Sequence, residues 1–468
     1  MKSEFGMIGL GTMGRALLQN IADKGFCVSG WNRNQERLDL MLQEAAGKDI
    51  QGFTDLAAFV ESIRSPRVVM LLVPAGEATD EMIQRVLPLL APGDFIIDGS
   101  NAYFKDTDRR SKALAEQGFG FLGLGVSGGE TGARYGPSMM AGGTPENYER
   151  VRSMLEAAAA KYNGEPCVAL LGPSSAGHYV KMVHNGIEYG IMQILAECYD
   201  LMRRGLGMAP PEMAAVVDGW DSGTFKSYLL EITAHVLKQR DDLTEGWLVD
   251  QVLDKAKAKG TGKWTSQNAM DLGVPVPIID EAVCAREMSA LKEERVLAAD
   301  LLVSPCAPGS SLSPSALTDL QAAMEAATII AYAQGLAQLR FASAEFGYSL
   351  NMEAVARVWR AGCIIRSELL EVIREAFGRS PSLANLLLDE SIAEMIRARD
   401  EGLRNTVVAF VTNGIPCAAL SSALAYLDAY RSAHLPANLT QAQRDLFGAH
   451  TYERTDRDGE FHTEWDFK

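Results

Sequence analysis

Lys181, His184, Asn185 and Glu188 stand at i, i+3, i+4 and i+7 in "KMVHNGIEYG", inside the otherwise apolar run "YVKMVHNGIEYGIMQILAECYDLM". At 3.6 residues per helical turn these positions share one face, so a helix here carries a single polar stripe. Such a stripe calls either for a function or for a structural Lys181–Glu188 pair on a solvated face. A second constellation, "GLGTMG", places Gly9, Gly11 and Gly14 in the pattern Gly-x-Gly-x-x-Gly. Glycines at that spacing permit a tight turn and let a pyrophosphate approach a helix N-terminus, which is the chemistry of dinucleotide binding.

The elements around the glycines support that reading. "EFGMIGLGTMGRALLQNIADKGFCVSGWNRN" reads as strand, turn, amphipathic helix and second strand, with Leu17, Leu18 and Ile21 at helical spacing. The second strand ends in "WNRN", with Asn32 and Arg33 where an NAD enzyme usually carries a carboxylate. A guanidinium there can bind a 2′-phosphate that a carboxylate would repel, so NADP is expected, unless Arg33 is merely a solvated surface cation. Further short apolar runs, "RVVMLLV", "DFIIDGS" and "GFLGLGVS", alternate with helical segments and predict a parallel, doubly wound Rossmann-type sheet. Asn101 and the "SGG" of Ser127, Gly128 and Gly129 fall at strand ends, where such a sheet forms its ligand crevice. The glycines there either expose backbone N–H groups to a ligand or serve simply as turn residues.

Beyond about residue 176 the pattern becomes helical. "MAAVVDGW" (213–220) is similar to "MEAVARVW" (352–359), each followed by Trp-x-x-Gly and then "SYLLE" or "SELLE", which suggests a duplicated helical unit. Extended upstream without gaps, the match sets the stripe positions against Leu320, Ala323, Met324 and Ala327, all apolar. The face that only needs packing is apolar in the second copy, which favours a function for the stripe in the first. The organisation expected is a Rossmann domain over 1–176, a large helical domain over 177–434 and a tail over 435–468.

Composition bounds the rest. The chain of 468 residues is 47% hydrophobic and 22% charged, as in a soluble globular protein of two or three domains. A net charge of −16 disfavours nucleic acid and anionic membrane as partners, so an anionic small ligand would need a local cluster of cations. Seven scattered cysteines without a Cys-x-x-Cys pair suggest reduced thiols rather than disulfides or a zinc site. With no membrane-span pattern and no signal-peptide pattern at "MKSEFGMIGLGTMG", a cytoplasmic location is expected.

The motifs "GLGTMG", "NRN", "SGGETGARYGPSMM", "GHYVKMVHNGIEYG", "KGTGKWTSQ", "WRAGCIIRS" and "LPANLTQAQRDLFGAHTYERTDRDGEFHTEW" together resemble the decarboxylating 6-phosphogluconate dehydrogenases over essentially the whole chain. The resemblance implies NADP-dependent oxidation of 6-phosphogluconate at carbon 3, loss of carbon dioxide, and protonation of the enediol to ribulose 5-phosphate, without a metal. It implies Lys181 as general base and Glu188 as general acid. Substrate contacts would fall on Asn101, Ser127, Gly128, Gly129, His184, Asn185, Tyr189, Lys259 and Arg286. The cofactor would lie on Gly9, Leu10, Gly11, Thr12, Met13 and Gly14, on Asn32, Arg33 and Asn34, and on Val73, Pro74, Ala75 and Asn101. The tail would enter the other subunit of a homodimer and bring Arg444 and His450 to the partner's substrate phosphate, so that active sites are shared.

A lysine that takes a hydroxyl proton must be neutral at some stage, which burial can achieve by lowering its pKa from about 10.4. "KGTGKWTSQ" lacks the spacing of a Walker loop, which argues against ATP, and leaves Lys263 without a role. Asn34, Pro74 and Thr131 depart from the Thr or Ser, Lys and Glu expected of the family; the first two lie on the cofactor side and bear on NADP preference. Two rival readings are a β-hydroxyacid dehydrogenase that does not decarboxylate and a non-catalytic NADP-binding protein. A small unphosphorylated acid would have no use for Glu188, Lys259, Arg286 and the tail.

Overall fold

The apolar run Phe5–Ile8 forms a strand (β1) and turns at once into the helix Thr12–Asp23 (α1). In the computed structural model, which describes residues 2–258, 260–304, 306 and 312–466, that strand-to-helix step repeats along the first third of the chain. Strands Val28–Trp31 (β2), Ile50–Phe53 (β3), Val68–Leu71 (β4), Phe95–Asp98 (β5) and Gly120–Val126 (β6) alternate with helices Gln35–Glu44 (α2), Leu56–Ser62 (α3), Glu77–Val86 (α4) and Phe104–Ala115 (α5). Then come Gly129–Tyr135 (α6), Met139–Gly143 (β7), Pro145–Glu149 (α7), Arg152–Ala158 (α8), a small hairpin of Lys161–Tyr162 (β8) and Glu165–Pro166 (β9), and Val168–Gly172 (β10).

The main sheet has eight strands in the order β10-β7-β6-β5-β4-β1-β2-β3. From β3 to β6 all neighbours are parallel, as expected for the doubly wound class. β7 pairs antiparallel with β6 and parallel with β10, so these last two strands at one side of the sheet run against the rest, which the sequence reading does not anticipate. Strand order diverges in two directions from β1 and β4, and the crevice for a ligand opens at their carboxyl ends. Alternation along the strands fills both faces: Met7, Met70 and Ile97 join one apolar cluster, with Leu17 and Leu18 of α1, while Ile8, Leu71 and Ile96 join the other. Each such side chain, fully buried, contributes about 1.5–3 kcal/mol, so the crevice rests on a rigid base.

Ala176–Asp200 forms one long helix (α9) and continues into a π-helical turn at Leu201–Gly205. Helices Pro210–Trp220 (α10), Tyr228–Lys238 (α11), Leu248–Gln251 (α12), Thr261–Asp271 (α13), Pro277–Ala290 (α14) and Lys292–Leu301 (α15) follow. A second long helix, Ala316–Glu345 (α16), then leads to Met352–Trp359 (α17) and Leu369–Arg379 (α18). The helix order is compatible with the suspected duplication, with α9, α10 and α11 set against α16, α17 and α18. Ser227 and Ser367, equivalent in "SYLLE" and "SELLE", form an antiparallel bridge, with Tyr228 N–H donating to the Arg366 carbonyl and Glu368 N–H to that of Lys226. Equivalent residues that pair antiparallel are what two copies related by a local two-fold produce. The counterparts of the polar stripe, Leu320, Ala323, Met324 and Ala327, are all buried in α16.

By internal contacts the chain forms two units, Met1–Ala423 and Leu424–Lys468. Within the second, the helix Ala437–Gly448 and a short antiparallel pair, Tyr452–Glu453 with Glu460–Phe461, are organised by Asp445. Its buried carboxylate accepts from Thr451 N–H, His462 Nδ1, Thr463 N–H and Trp465 Nε1 at 2.8–3.1 Å. Burial works against the charge, yet these donors hold the Asp445 carboxyl down at about 2. Among the described residues no helix is long and apolar enough to cross a membrane.

Candidate active site

Three glycines explain how α9 meets the sheet. A Cβ on Gly177 would lie 2.3 Å from the Met140 carbonyl oxygen, one on Gly142 2.5 Å from the Gly177 nitrogen, and one on Gly125 2.5 Å from Cβ of Lys181. Only hydrogen atoms fit at these points, so the first turns of α9 lie directly on β6 and β7. That contact brings the polar stripe beside Ser127, the residue after β6.

The stripe is buried rather than solvated, which excludes a surface ion pair. Lys181 is 6% exposed and His184 is fully buried. Lys181 Nζ donates to Ser127 Oγ (2.9 Å) and Asn185 Oδ1 (2.8 Å), and lies 3.3 Å from His184 Nδ1. His184 Nδ1 is 3.0 Å from Asn185 Oδ1, and its Nε2 is 3.4 Å from Ser127 Oγ. Asn185 Nδ2 donates to Thr261 Oγ1 at 3.0 Å, which fixes the amide with its oxygen toward Lys181.

A proton arrangement consistent with this network has Nδ1–H of His184 donating to Asn185 Oδ1 (3.0 Å) and the Ser127 hydroxyl donating to Nε2. Two acceptors, Ser127 Oγ and Asn185 Oδ1, then remain for Lys181, as many as a neutral amine needs. Electrostatics agree. Desolvation lowers the Lys181 pKa, against the opposing charge of Glu188. Burial, and then the Lys181 charge, push His184 well below its ordinary range, so its imidazole is neutral. Desolvation raises the Glu188 carboxyl despite Lys181 and Arg286. Glu188 Oε2 lies 3.8 Å from His184 Nδ1, with the side chain 19% exposed. A lysine moved down and a glutamate moved up on one helix face is the pattern of a base and an acid poised for separate proton transfers.

Tyr189 continues the wall. Its ring lies between Gly262, where a Cβ would come within 2.4 Å, and the Arg286 guanidinium, 3.5 Å from the ring centroid. Gly128 (φ 107°), which caps α6, and Gly129 (φ 62°), its first residue, both have positive φ, and a Cβ on Gly128 would strike the Gly362 carbonyl at 2.5 Å. Thr261, buried at the start of α13, joins the site without having been singled out by motif spacing; so does Trp359, whose ring packs edge-on against His184. Lys259 lies outside the described residues. Arg444 and His450 are exposed on the second unit, with His450 between Ala449 and Thr451 in strained left-handed conformations (φ 49° and 60°).

The crevice between β1 and β4 has the features a dinucleotide needs. A Cβ on Gly14 would lie 1.9 Å from the Gly9 carbonyl oxygen, and Gly11 leaves the N-terminus of α1 without a side-chain cap, so its N–H groups can face a pyrophosphate. Leu10 is buried, while Thr12 and Met13 open the first turn of α1. Asn32 is committed to the turn itself: Oδ1 accepts from Leu10 N–H (3.2 Å) and Nδ2 donates to the Asn34 carbonyl (3.1 Å). Asn34 caps α2 by accepting from Arg37 N–H (3.1 Å), a duty Thr or Ser also performs, so its departure from the family pattern leaves the local backbone intact. Arg33 is exposed at the end of β2 with no carboxylate among its neighbours Asn32 and Asn34. Arg37, not anticipated, brings its guanidinium near Gly11. Val73, Pro74 and Ala75 follow β4, and Asn101 is exposed after β5. These residues suit NADP.

A Rossmann-type sheet with a glycine turn, carrying a buried lysine beside the end of β6 and a raised glutamate on the same helix face, fits a dinucleotide-dependent dehydrogenase. Residues 4–172 match the NAD binding domain of 6-phosphogluconate dehydrogenase, and residues 177–465 match the 6-phosphogluconate dehydrogenase C-terminal domain. The chain belongs to the 6-phosphogluconate dehydrogenase family. It is 50% identical over 465 residues, 99% of each chain, to an NADP(+)-dependent, decarboxylating 6-phosphogluconate dehydrogenase of Bacillus subtilis (strain 168). It is 48% identical over 466 residues, again 99% of each, to a decarboxylating 6-phosphogluconate dehydrogenase of Lactococcus lactis subsp. lactis (strain IL1403). The solved Plasmodium falciparum 6-phosphogluconate dehydrogenase, studied in its apo form and in complexes with NADP+ and with 6-phosphogluconate, superimposes with a TM-score of 0.95. It is 41% identical, over 99% of this chain and 100% of that one.

Proposed function

We propose that this protein oxidises 6-phosphogluconate at carbon 3 with NADP, releases its carboxyl group as carbon dioxide and protonates the enediol to ribulose 5-phosphate. The observation that carries this reading is the buried Lys181, held by Ser127 and Asn185 with two acceptors for its protons and with Glu188 two turns along the same face. Bound NADP supplies the hydride acceptor. Neutral Lys181 removes the proton of the carbon-3 hydroxyl as hydride leaves that carbon. The resulting ammonium then stabilises the oxygen of the β-keto acid as the carboxyl group departs and negative charge develops there. Glu188, whose carboxyl burial raises above the ordinary glutamate range, delivers a proton to carbon 1 of the enediol. Asn101, Ser127, Gly128, Gly129, His184, Asn185 and Tyr189 orient the sugar acid; Lys259 and Arg286 meet its phosphate.

The active unit is a cytoplasmic homodimer in which the tail of one copy completes the site of the other through Arg444 and His450. Support for this comes from the tail itself: both side chains are exposed, and the Asp445 hub holds their backbone in one conformation. Initial rates with 6-phosphogluconate against NADP and NAD in parallel test the reading. Wild-type protein reduces NADP in preference to NAD. Arg33→Ala raises the KM for NADP about 10- to 100-fold, the worth of a charge-assisted hydrogen bond, and leaves that for NAD nearly unchanged. No turnover with either cofactor, or equal loss with both, contradicts it.

A further inference from the structure

Arg110 takes no part in the chemistry above, yet it is buried and each nitrogen of its guanidinium donates a hydrogen bond to another part of the fold. The side chain is 2% exposed, and its partner Asp98 is fully buried. Nε donates to Asp80 Oδ1 (2.7 Å) in α4, Nη2 donates to the Gly76 carbonyl (2.9 Å) at the cap of that helix, and Nη1 donates to Asp98 Oδ2 (3.1 Å), the last residue of β5. The other oxygen of Asp98 accepts from both N–H (3.0 Å) and O–H (2.7 Å) of Ser100, which sets the turn leading into Asn101. Gly76 itself has a positive φ (87°), which glycine adopts without strain. One α5 turn earlier, Thr107 Oγ1 lies 2.8 Å from His178 Nδ1, which ties the same helix to α9 three residues before Lys181.

Burying a guanidinium and a carboxylate is costly, and the cost is offset only when the hydrogen bonds are complete. A fold that only needed packing here could use apolar side chains. What the cluster joins is specific: the loop after β4, with Val73, Pro74 and Ala75, and the loop after β5, with Asn101. In a sheet of this order a dinucleotide lies across the divergence point, its adenosine half toward β1 and β2 and its nicotinamide half toward β4 and β5. We infer that Arg110 is a positioning residue for the cofactor, a buried clasp that binds the β4–α4 loop to the β5–α5 loop and so shapes the seat of the nicotinamide half. Its bonds go to protein acceptors, so it acts through the loops and not by touching NADP. This inference rests on the reading of the glycine turn as an NADP site.

The test measures dissociation constants of NADP and of adenosine 2′,5′-bisphosphate, which carries only the adenosine half, for wild-type protein, Arg110→Lys and Asp80→Asn. Lysine keeps the charge but loses the fork; Asp80→Asn leaves the buried Arg110–Asp98 pair and the Gly76 contact in place and weakens only the carboxylate link of α4 to Arg110 and to its neighbour Arg109 (2.7 Å), so it reports even where the first variant fails to fold. The expected result is NADP binding weakened about 10-fold or more in Arg110→Lys and about 5-fold in Asp80→Asn, with the bisphosphate within about twofold of wild type. NADP binding within twofold of wild type in the folded variants, or equal weakening of both ligands, overturns the clasp. Wild-type protein that binds neither ligand removes the cofactor reading instead, and the clasp with it.

Discussion

Lys181→Met lowers kcat with 6-phosphogluconate and NADP by about 10,000-fold, while the protein still folds and binds NADP as before. The size follows from two losses at one atom: the base that removes the carbon-3 proton, worth about 100- to 10,000-fold, and the cation that stabilises the enolate oxygen during decarboxylation. Methionine fills a similar volume without leaving a buried charge, so the helix face stays packed, and the glycine crevice between β1 and β4 lies outside the substitution. Steady-state kinetics with an NADP titration check both halves of the expectation. Turnover within about tenfold of wild type removes Lys181 from the base role. The pH profile sharpens the same point. Because desolvation lowers its pKa, Lys181 becomes neutral at lower pH than an ordinary lysine. kcat/KM of the wild type therefore rises through that depressed value and extends activity toward neutral pH. A basic limb follows from Glu188, whose raised pKa keeps the acid protonated to higher pH than an ordinary glutamate before activity declines.

Glu188→Gln has a different signature. Its carboxyl acts after hydride transfer and decarboxylation, so in the first turnover the variant forms about one NADPH and one carbon dioxide per site. Steady-state turnover then falls about 100- to 1,000-fold, limited by protonation of the enediol. Rapid-mixing measurement of NADPH against ribulose 5-phosphate separates the two phases. Loss of the first-turnover burst as well as the steady rate places Glu188 in an earlier step, and unchanged turnover removes it from the acid role. The two variants together test whether one helix face holds two distinct proton-transfer groups or one ion pair.

Much of this was legible in residue order. Gly9, Gly11 and Gly14 between a strand and a helix can be satisfied by few backbones, and the tight contact of Gly14 with the Gly9 carbonyl shows why. The stripe on α9 stood out because the duplicated helix α16 shows the same face in purely apolar form. What could not be read were tertiary commitments of ordinary residue types. Nothing in "SMMAGG" signals a strand running against its neighbours, since a short apolar strand reads the same in either direction. Asn32 and Asn34 look like ligands in "WNRN", and their structural duties, with the side-chain oxygens accepting in the glycine turn and at the α2 cap, were not readable there. Thr261, Trp359 and Arg37 reach the crevices from segments distant in sequence, through helix packing that no local spacing encodes. Arg110 is similar: the second of two adjacent arginines on an amphipathic helix suggests a surface charge, and only the sheet order brings Asp80, Gly76 and Asp98 around it.

The central claim is that the α9 face couples oxidation to loss of the carboxyl group. The most direct measurement is the ratio of carbon dioxide released to NADPH formed when purified wild-type protein turns over 6-phosphogluconate in the presence of a chelator. A ratio of one, with ribulose 5-phosphate as product, is the result expected; NADPH formed without matching carbon dioxide would contradict the account and leave a β-hydroxyacid dehydrogenase that does not decarboxylate.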